Sequence, residues 1–249
     1  KILIFIPDMA NNWSNEISEN TPAQEKLFSL IIPTYQKFAW LKQSVEVLLT
    51  RFPQAEIIIV NDGSQDETYK IKNLYPNKVK YLDHTKNKGK GASWRDGVKE
   101  ASCDYLIFTD DDLPFGSEGI EAILTELITS SADIVIAKRK NFYNNAGYKK
   151  ILRPGLYVLL KLLFNLPYAD TQCGLKGFKR QSALDIMPRT FTNKFAIDIE
   201  ILYLAKLLSY SVKEVELEQK LFAPSTFNFK NIVLMFFDLI KIKFHHYEI

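Results

Sequence analysis

Apolar residues along this chain gather in short continuous runs, and the stretches between them repeat hydrophobic positions every three to four residues. The runs are Phe28-Ser29-Leu30-Ile31-Ile32, closed by Pro33, then Glu56-Ile57-Ile58-Ile59-Val60, residues 79–82, Tyr105-Leu106-Ile107-Phe108 and Ile134-Val135-Ile136-Ala137. They are too short for helices, and most lack the polar alternation of a half-exposed strand. They therefore read as strands of a sheet covered on both faces. Leu41, Val45, Leu48 and Leu49 lie at helix spacing after the first run. Further helices are expected over residues 65–74, with Ser64 as N-cap, over 91–101 and over 117–129. Strands alternating with helices in this way predict crossover units, a mostly parallel sheet and an α/β fold.

The rhythm breaks after Ala137. Residues 134–169 contain no acid but carry Lys138, Arg139, Lys140, Lys149, Lys150, Arg153 and Lys161. The run from Leu156 to Phe164 is strongly apolar, and a second such segment spans residues 231–247, with Lys241 and Lys243 near its end. Each is too short to span a bilayer. Each fits either a core helix or an amphipathic helix lying in a membrane interface, and two in one chain, both with basic flanks, favour the interface. Residues 1–26 read as a polar arm. Its apolar start, Lys1-Ile2-Leu3-Ile4-Phe5-Ile6-Pro7, fits the remnant of an upstream anchor or a short β-segment. The expected division is thus an arm (1–26), a catalytic domain (27–228) that includes a basic segment (138–168), and a C-terminal amphipathic helix (229–249).

Composition narrows the classes. The 249 residues are 47% hydrophobic and 24% charged, an ordinary globular balance with enough chain for a substantial core. A net charge of +3 is too small to imply a nucleic-acid partner. Cys103 and Cys173 alone make no disulfide scaffold, and no Cys/His cluster has zinc spacing.

In an open α/β sheet, ligands bind beyond the carboxyl ends of the strands. Those positions hold Pro33-Thr34-Tyr35, Asn61-Asp62-Gly63-Ser64, Asp110-Asp111-Asp112 and Lys138-Arg139-Lys140. Three successive carboxylates beside a buried strand repel one another unless a cation offsets them. Their oxygens suit Mg²⁺ or Mn²⁺ shared with substrate phosphates. Asp62-Gly63-Ser64 fits a ligand contact or a plain turn. Gly89-Lys90-Gly91 fits a phosphate approach or a helix start. His84, His245 and His246 read as surface or interfacial, and Trp40 and Trp94 as core.

Taken in order, Leu30-Ile31-Ile32-Pro33-Thr34-Tyr35, Ile58-Ile59-Val60-Asn61-Asp62-Gly63-Ser64-Gln65-Asp66-Glu67-Thr68, Asn87-Lys88-Gly89-Lys90-Gly91 and Asp110-Asp111-Asp112 resemble glycosyltransferase family 2 with its GT-A fold. Asp170-Thr171-Gln172-Cys173-Gly174-Leu175-Lys176-Gly177-Phe178 and Phe195-Ala196-Ile197-Asp198-Ile199-Glu200-Ile201-Leu202-Tyr203 resemble the dolichyl-phosphate glucosyltransferases and related polyprenyl-phosphate glycosyltransferases within it. The resemblance implies that Pro33, Thr34, Tyr35 and Asp62 line the base and ribose of a nucleotide sugar, UDP-glucose being favoured. It places Lys88, Gly89, Asp110 and Asp111 on that donor side as well. It gives Asp112 and Asp110 to a divalent metal, and Arg139, Arg153 and Lys176 to the phosphate of a polyprenyl acceptor. Asp170 would orient the arginines or meet the sugar. The implied setting is the cytoplasmic face of an anionic membrane. Asn61 departs from the family pattern where aspartate is common, and Pro114 stands where some relatives have glutamine. A saccharide or protein hydroxyl acceptor would instead need a base, for which Asp198 or Glu200 is the candidate. A non-catalytic binding module is a further alternative.

Overall fold

The computed structural model describes residues 26–140, 149–168, 170–194, 196–220 and 229–247. The arm, apart from Lys26, and residues 141–148 of the basic segment lie outside the described residues. In chain order the elements are β1 (Phe28–Thr34), α1 (Phe38–Arg51), β2 (Ala55–Asn61), a 3-10 turn (Glu67–Lys70) leading into α2 (Ile71–Leu74), β3 (Val79–Asp83), α3 (Lys90–Glu100), β4 (Tyr105–Phe108), α4 (Gly116–Thr129), β5 (Ile134–Arg139), α5 (Lys149–Phe164), β6 (Lys176–Lys179), α6 (Arg180–Ile186), a 3-10 turn (Met187–Arg189), α7 (Ile197–Leu207), β7 (Val212–Leu217) and α8 (Phe229–Phe244).

Among the described residues, seven strands form one sheet in the order β3-β2-β1-β4-β6-β5-β7. Of these, β6 alone runs antiparallel to its neighbours β4 and β5. Successive side chains of the central strands enter two separate cores. Ile31, Ile58, Val60, Leu106 and Phe108 pack with Trp94 of α3 and with Ile197, Ile201 and Leu204 of α7. Leu30, Ile32, Ile57, Ile59 and Ile107 pack with Leu41, Val45 and Leu48 of α1 and with Ile120, Ile123 and Leu127 of α4. Burial on both faces is what the continuous apolar runs demand.

Several elements differ from expectation. β1 continues through Pro33, which pairs with Val60 of β2; the position of its missing N–H faces the β4 side, as the Ile31 carbonyl does, and β1 has left β4 after the Ile31–Phe108 pair, so neither ladder loses a bond. The helix expected over residues 65–74 is confined to the 3-10 turn and α2. Asp66 caps it, accepting from Thr68 N, while the Ser64 hydroxyl accepts from Gln36 N. Trp94 is fully buried, but Trp40 is exposed on α1.

At the amino ends of the strands, Glu56 accepts from Ser29 Oγ (2.5 Å), Ser102 N (2.8 Å) and Ser102 Oγ (2.7 Å), and pairs with Lys80 (2.7 Å). Burial alone would raise its pKa, but these partners hold it at about 2, against an ordinary 4.5. A depressed carboxylate stabilises the fold above its unfolded pKa and loses that contribution as pH falls through the folded one. Glu56→Gln is therefore expected to cost about 2–3 kcal/mol at pH 7, the gap to wild type closing between pH 4.5 and 2 in urea titrations. An unchanged gap across that window would contradict the assignment.

The two amphipathic segments each do two things. α5 buries Leu160 and Phe164 and exposes Val158 and Leu162. α8 buries Met235, Leu239 and Ile242 and exposes Leu234, Phe236, Phe237, Ile240 and Phe244. No helix among the described residues is long and apolar enough to cross a membrane.

Candidate active site

β1 and β2 end level, Thr34 opposite Asn61, so the turns that follow them meet the turn after β4. That turn is tightly built. Leu113, directly after Asp112, has φ +44°, a left-handed conformation uncommon for leucine. The Asp111 side chain points back into the fold, accepting from Thr34 Oγ1 (2.9 Å) and pairing with Lys37 Nζ (3.0 Å), while Ser44 Oγ donates to its carbonyl (2.7 Å). Burial pushes the Asp111 carboxyl up to about 6, although Lys37 and Thr34 act against the rise. Thr34 and Asp111, expected to line the donor, thus spend these polar groups on each other and fix the turn. Lys37 was not among the expected residues. Burial works to lower its pKa, but Asp111 and Asp112 outweigh that and raise it. Its position three residues past the end of β1 is the only signal the sequence carries for it. Pro33 lies beneath this edge, and Tyr35 is exposed on it.

Asp110 pairs through Oδ1 with Lys90 Nζ (2.8 Å), and that ammonium also lies 4.5 Å from the centre of the Trp94 ring. Burial would raise the Asp110 pKa, but Lys90, Lys176 and Lys37 together lower it. A Cβ added at Gly174 would fall on the Asp110 carboxylate, so only glycine allows this approach.

Asp62 departs from its expected place among the nucleotide contacts. It is buried, and both its oxygens are engaged within the fold, with Lys88 N (2.8 Å), Gly89 N (2.8 Å) and His84 Nδ1 (2.9 Å). His84 is not a surface residue: it is buried between Asp62 and Asp96, whose Oδ2 is 3.1 Å from Nε2. Asp62 therefore acts as the clamp that sets the Lys88-Gly89-Lys90 turn, and Lys88 and Gly89, expected on the donor side, give their backbone N–H groups to this clamp. Gly89 adopts φ +96° there, which suits glycine. Asn61, the departure noted above, bridges Asp83 and Ser64 N.

On the other side of the sheet, Arg139 ends β5 and faces Asp170. Its Nε and Nη2 each donate at 2.6 Å to one oxygen of the fully buried carboxylate, and its backbone N–H adds a third bond at 3.2 Å. This planar fork fixes the guanidinium. Burial works to lower the Arg139 pKa, and Asp170 more than restores it. Arg153 belongs to the first turns of α5. Lys176 does not meet the acceptor-side expectation. It is fully buried, with Nζ on Asp198 Oδ1 (2.5 Å) and on the Cys173 carbonyl. Asp198 is thereby occupied, and Glu200, also buried, accepts four hydrogen bonds. Neither is placed as a free general base.

The Asp112 carboxylate differs from its neighbours. It is buried, accepts no hydrogen bond among the described residues, and has Lys37 Nζ 3.7 Å away as its cation. Among the described residues no three His, Cys, Asp or Glu side chains converge as a metal cage. One or two hard carboxylate ligands, with substrate phosphates completing the sphere, is the pattern Mg²⁺ and Mn²⁺ accept. The residues present fit such an ion at Asp112, with Asp110 beside it.

Comparison with known proteins identifies the family and the fold. The glycosyl transferase family 2 model matches residues 29–186. Dolichyl-phosphate beta-glucosyltransferase of Drosophila melanogaster is 31% identical over 221 residues, covering 79% of this chain and 67% of the fly protein. UDP-N-acetylglucosamine–dolichyl-phosphate N-acetylglucosaminyltransferase of Methanococcus voltae is 29% identical over 216 residues, covering 78% of this chain and 86% of its own. Among solved structures, glucosyl-3-phosphoglycerate synthase from Mycobacterium tuberculosis, crystallised with Mn²⁺, UDP and glucosyl-3-phosphoglycerate, superimposes with a TM-score of 0.69 at 15% identity, over 87% of this chain and 78% of that one. At that identity the likeness is one of fold, the GT-A fold.

Proposed function

Because the chain belongs to glycosyltransferase family 2, we propose that it transfers a hexose, glucose being favoured, from a UDP-sugar to a polyprenyl monophosphate at a membrane surface. The observation that carries this reading is the Arg139–Asp170 fork, whose guanidinium lies near enough to the aspartate cluster for the charge of Asp110 to act on it. The relatives named for dolichyl-phosphate chemistry support it.

A phosphate acceptor is ionised at neutral pH, so no side chain has to remove a proton from it. What it needs is a fixed cation, and Arg139 is held in one plane by Asp170. Phosphate oxygen attacks the anomeric carbon; the bond from that carbon to the diphosphate breaks, and its electron pair leaves with UDP. A single displacement inverts the centre, giving a β-linked product from an α-linked donor. Mg²⁺ or Mn²⁺ at Asp112, with Asp110 beside it, would neutralise charge on the leaving diphosphate. Lys90 stands next to Asp110 as a further cation on that side. Arg153 and the acid-free basic segment would draw the lipid headgroup. With Asp198 and Glu200 engaged elsewhere, the arrangement favours a phosphate over a hydroxyl acceptor.

The test is a screen of UDP-glucose, UDP-N-acetylglucosamine and GDP-mannose against a short polyprenyl phosphate, with products identified by mass spectrometry. Transfer of glucose alone supports the full reading. Transfer of N-acetylglucosamine or mannose in its place corrects the sugar, and transfer only to a saccharide acceptor overturns the reading.

Membrane contact is assigned to Val158 and Leu162 of α5 and to Phe237 and Phe244 of α8. Leu159 and Leu163 are partly buried and pack against the core. Leu162→Glu with Phe244→Glu is expected to weaken binding to phosphatidylglycerol vesicles at least about tenfold, each change removing on the order of 1.5 kcal/mol of apolar burial. Thermal midpoints and donor binding should stay near wild type. Vesicle flotation checks the first, and undiminished flotation would contradict the assignment.

A further inference from the structure

Glu200 of α7 is fully buried and, among the described residues, has no ion-pair partner. Its charge is met by four hydrogen bonds: from Phe191 N (3.0 Å), Thr192 N (2.9 Å), Thr192 Oγ1 (2.5 Å) and the Tyr247 hydroxyl (3.0 Å). A buried carboxylate without an ion pair is costly unless its oxygens are fully satisfied, and Arg95 acts on it only from farther off, so these donors are bound tightly to one point. They come from two parts of the chain. One is the loop before α7; the other is the tail that follows α8.

The loop leads to the donor side. Asn193 O accepts from Gly91 N (3.0 Å). Arg95 reaches across from α3 to Thr190 Oγ1 (3.0 Å), to Thr192 O (3.1 Å) and to the Asn193 side chain. A Cβ at Gly89 or Gly91 would collide with the carbonyls of Asn193 or Thr192, so the two backbones lie in direct contact. Between these glycines stands Lys90, paired with Asp110. The tail leads to the other end. Its His245 and Tyr247 rings lie 4.5 Å and 6.3 Å from Phe191, and the helix before it exposes Phe236, Phe237, Ile240 and Phe244.

We propose that Glu200 and Tyr247 are positioning residues that tie the seating of α8 to the Gly89-Lys90-Gly91 turn, and so to the presentation of Lys90 on the donor side. A displacement of α8 moves the Tyr247 hydroxyl and the Phe191 ring together. Both act on the loop whose carbonyls carry the turn. The physical link is made of hydrogen bonds and ring contacts alone and does not depend on the proposed acceptor; only its consequence for UDP rests on the donor reading above.

The experiment uses the full chain with Tyr247→Phe, which keeps the ring and removes one donor. Hydrogen exchange is followed by mass spectrometry over residues 85–95 and 189–194, and Mn²⁺-dependent UDP binding by calorimetry. Exchange in the Gly89–Gly91 turn is expected to rise at least about tenfold, with the amides of β1 and β2 unchanged. UDP affinity is expected to fall about threefold to tenfold, while the Michaelis constant for the acceptor stays put. Glu56→Gln, which weakens the opposite end of the sheet, is the control and should leave the turn unaltered relative to the strands. No change in the turn, or a uniform rise across the whole sheet, overturns the proposal. A loosened turn with unaltered UDP affinity supports the link and instead removes the turn from the donor site.

Discussion

Asp112→Asn is expected to cut sugar transfer at least about 100-fold, or ~2.7 kcal/mol of transition-state stabilisation, while barely changing the thermal midpoint. The two halves of that expectation come from the same geometry. The carboxylate accepts no hydrogen bond among the described residues, so the fold loses little when its charge goes. Asn keeps the shape and one oxygen but is a poor ligand for a hard divalent ion. Asp111→Asn should behave in the opposite way, because the Thr34 hydroxyl and the Lys37 ammonium both converge on its carboxylate. Its first effect is a lower midpoint. Initial rates against UDP-glucose and polyprenyl phosphate, with a melting curve for each variant, check both. Retention of more than a tenth of the wild-type rate by Asp112→Asn would remove Asp112 from the metal site.

The other large effect is expected at Asp170. Asp170→Asn leaves the half-buried Arg139 guanidinium facing an amide that offers N–H where a second acceptor is required. Breaking a buried pair in this way costs about 3–5 kcal/mol, which for a chain of this size lowers the midpoint by roughly 10 °C. Transfer should fall with it, because a guanidinium no longer fixed in one plane cannot hold a phosphate in line. Arg139→Lys separates the two roles. An ammonium can still pair with Asp170, so much of the stability returns, but the fork is gone, and the acceptor Michaelis constant should rise about tenfold or more. Equal stability of wild type and Asp170→Asn in denaturant titrations would mean that the pair is not the brace described here.

Strands β1, β2, β4 and β5 were legible because they are buried on both faces, and only a covered sheet asks for such runs as Ile57-Ile58-Ile59-Val60; β3, half-exposed at the sheet edge, carries only a short apolar run. β6 was not legible. Lys176-Gly177-Phe178-Lys179 has two lysines and a glycine in four residues, and it becomes a strand because β4 and β5 offer it hydrogen bonds on both sides. Its first lysine is buried only because Asp198 waits 22 residues later. The site shows the same division. The aspartate cluster and Arg139 stand where the topology puts any strand-end residue, so their placement could be read in advance. Whether a carboxylate there faces a ligand or the fold depends on tertiary partners. Asp62 is drawn inward by His84 and by two backbone N–H groups more than 20 residues away, and no local pattern announces that. Asp112 keeps its oxygens because Asp111 beside it takes the donors of Thr34 at the end of β1 and of Lys37 just before α1.

The single reversed strand also limits how such an enzyme can be rebuilt. β6 is hydrogen-bonded to β4 on one edge and β5 on the other, and Gly177 lies so close to Ile123 of α4 that a side chain there would strike it. The segment just before it carries Asp170 for Arg139 and Gly174 for Asp110. A chimera that grafts the acceptor-side segment of a relative cannot treat residues 170–179 as a loop to be exchanged freely. The graft brings a strand whose register is read by both halves of the sheet, so the viable unit of exchange includes the matching faces of α4, β4 and β5. Recombination libraries that cut inside this unit should yield mostly unfolded protein, and those that cut in the turn before α1 or after α6 should yield folded hybrids.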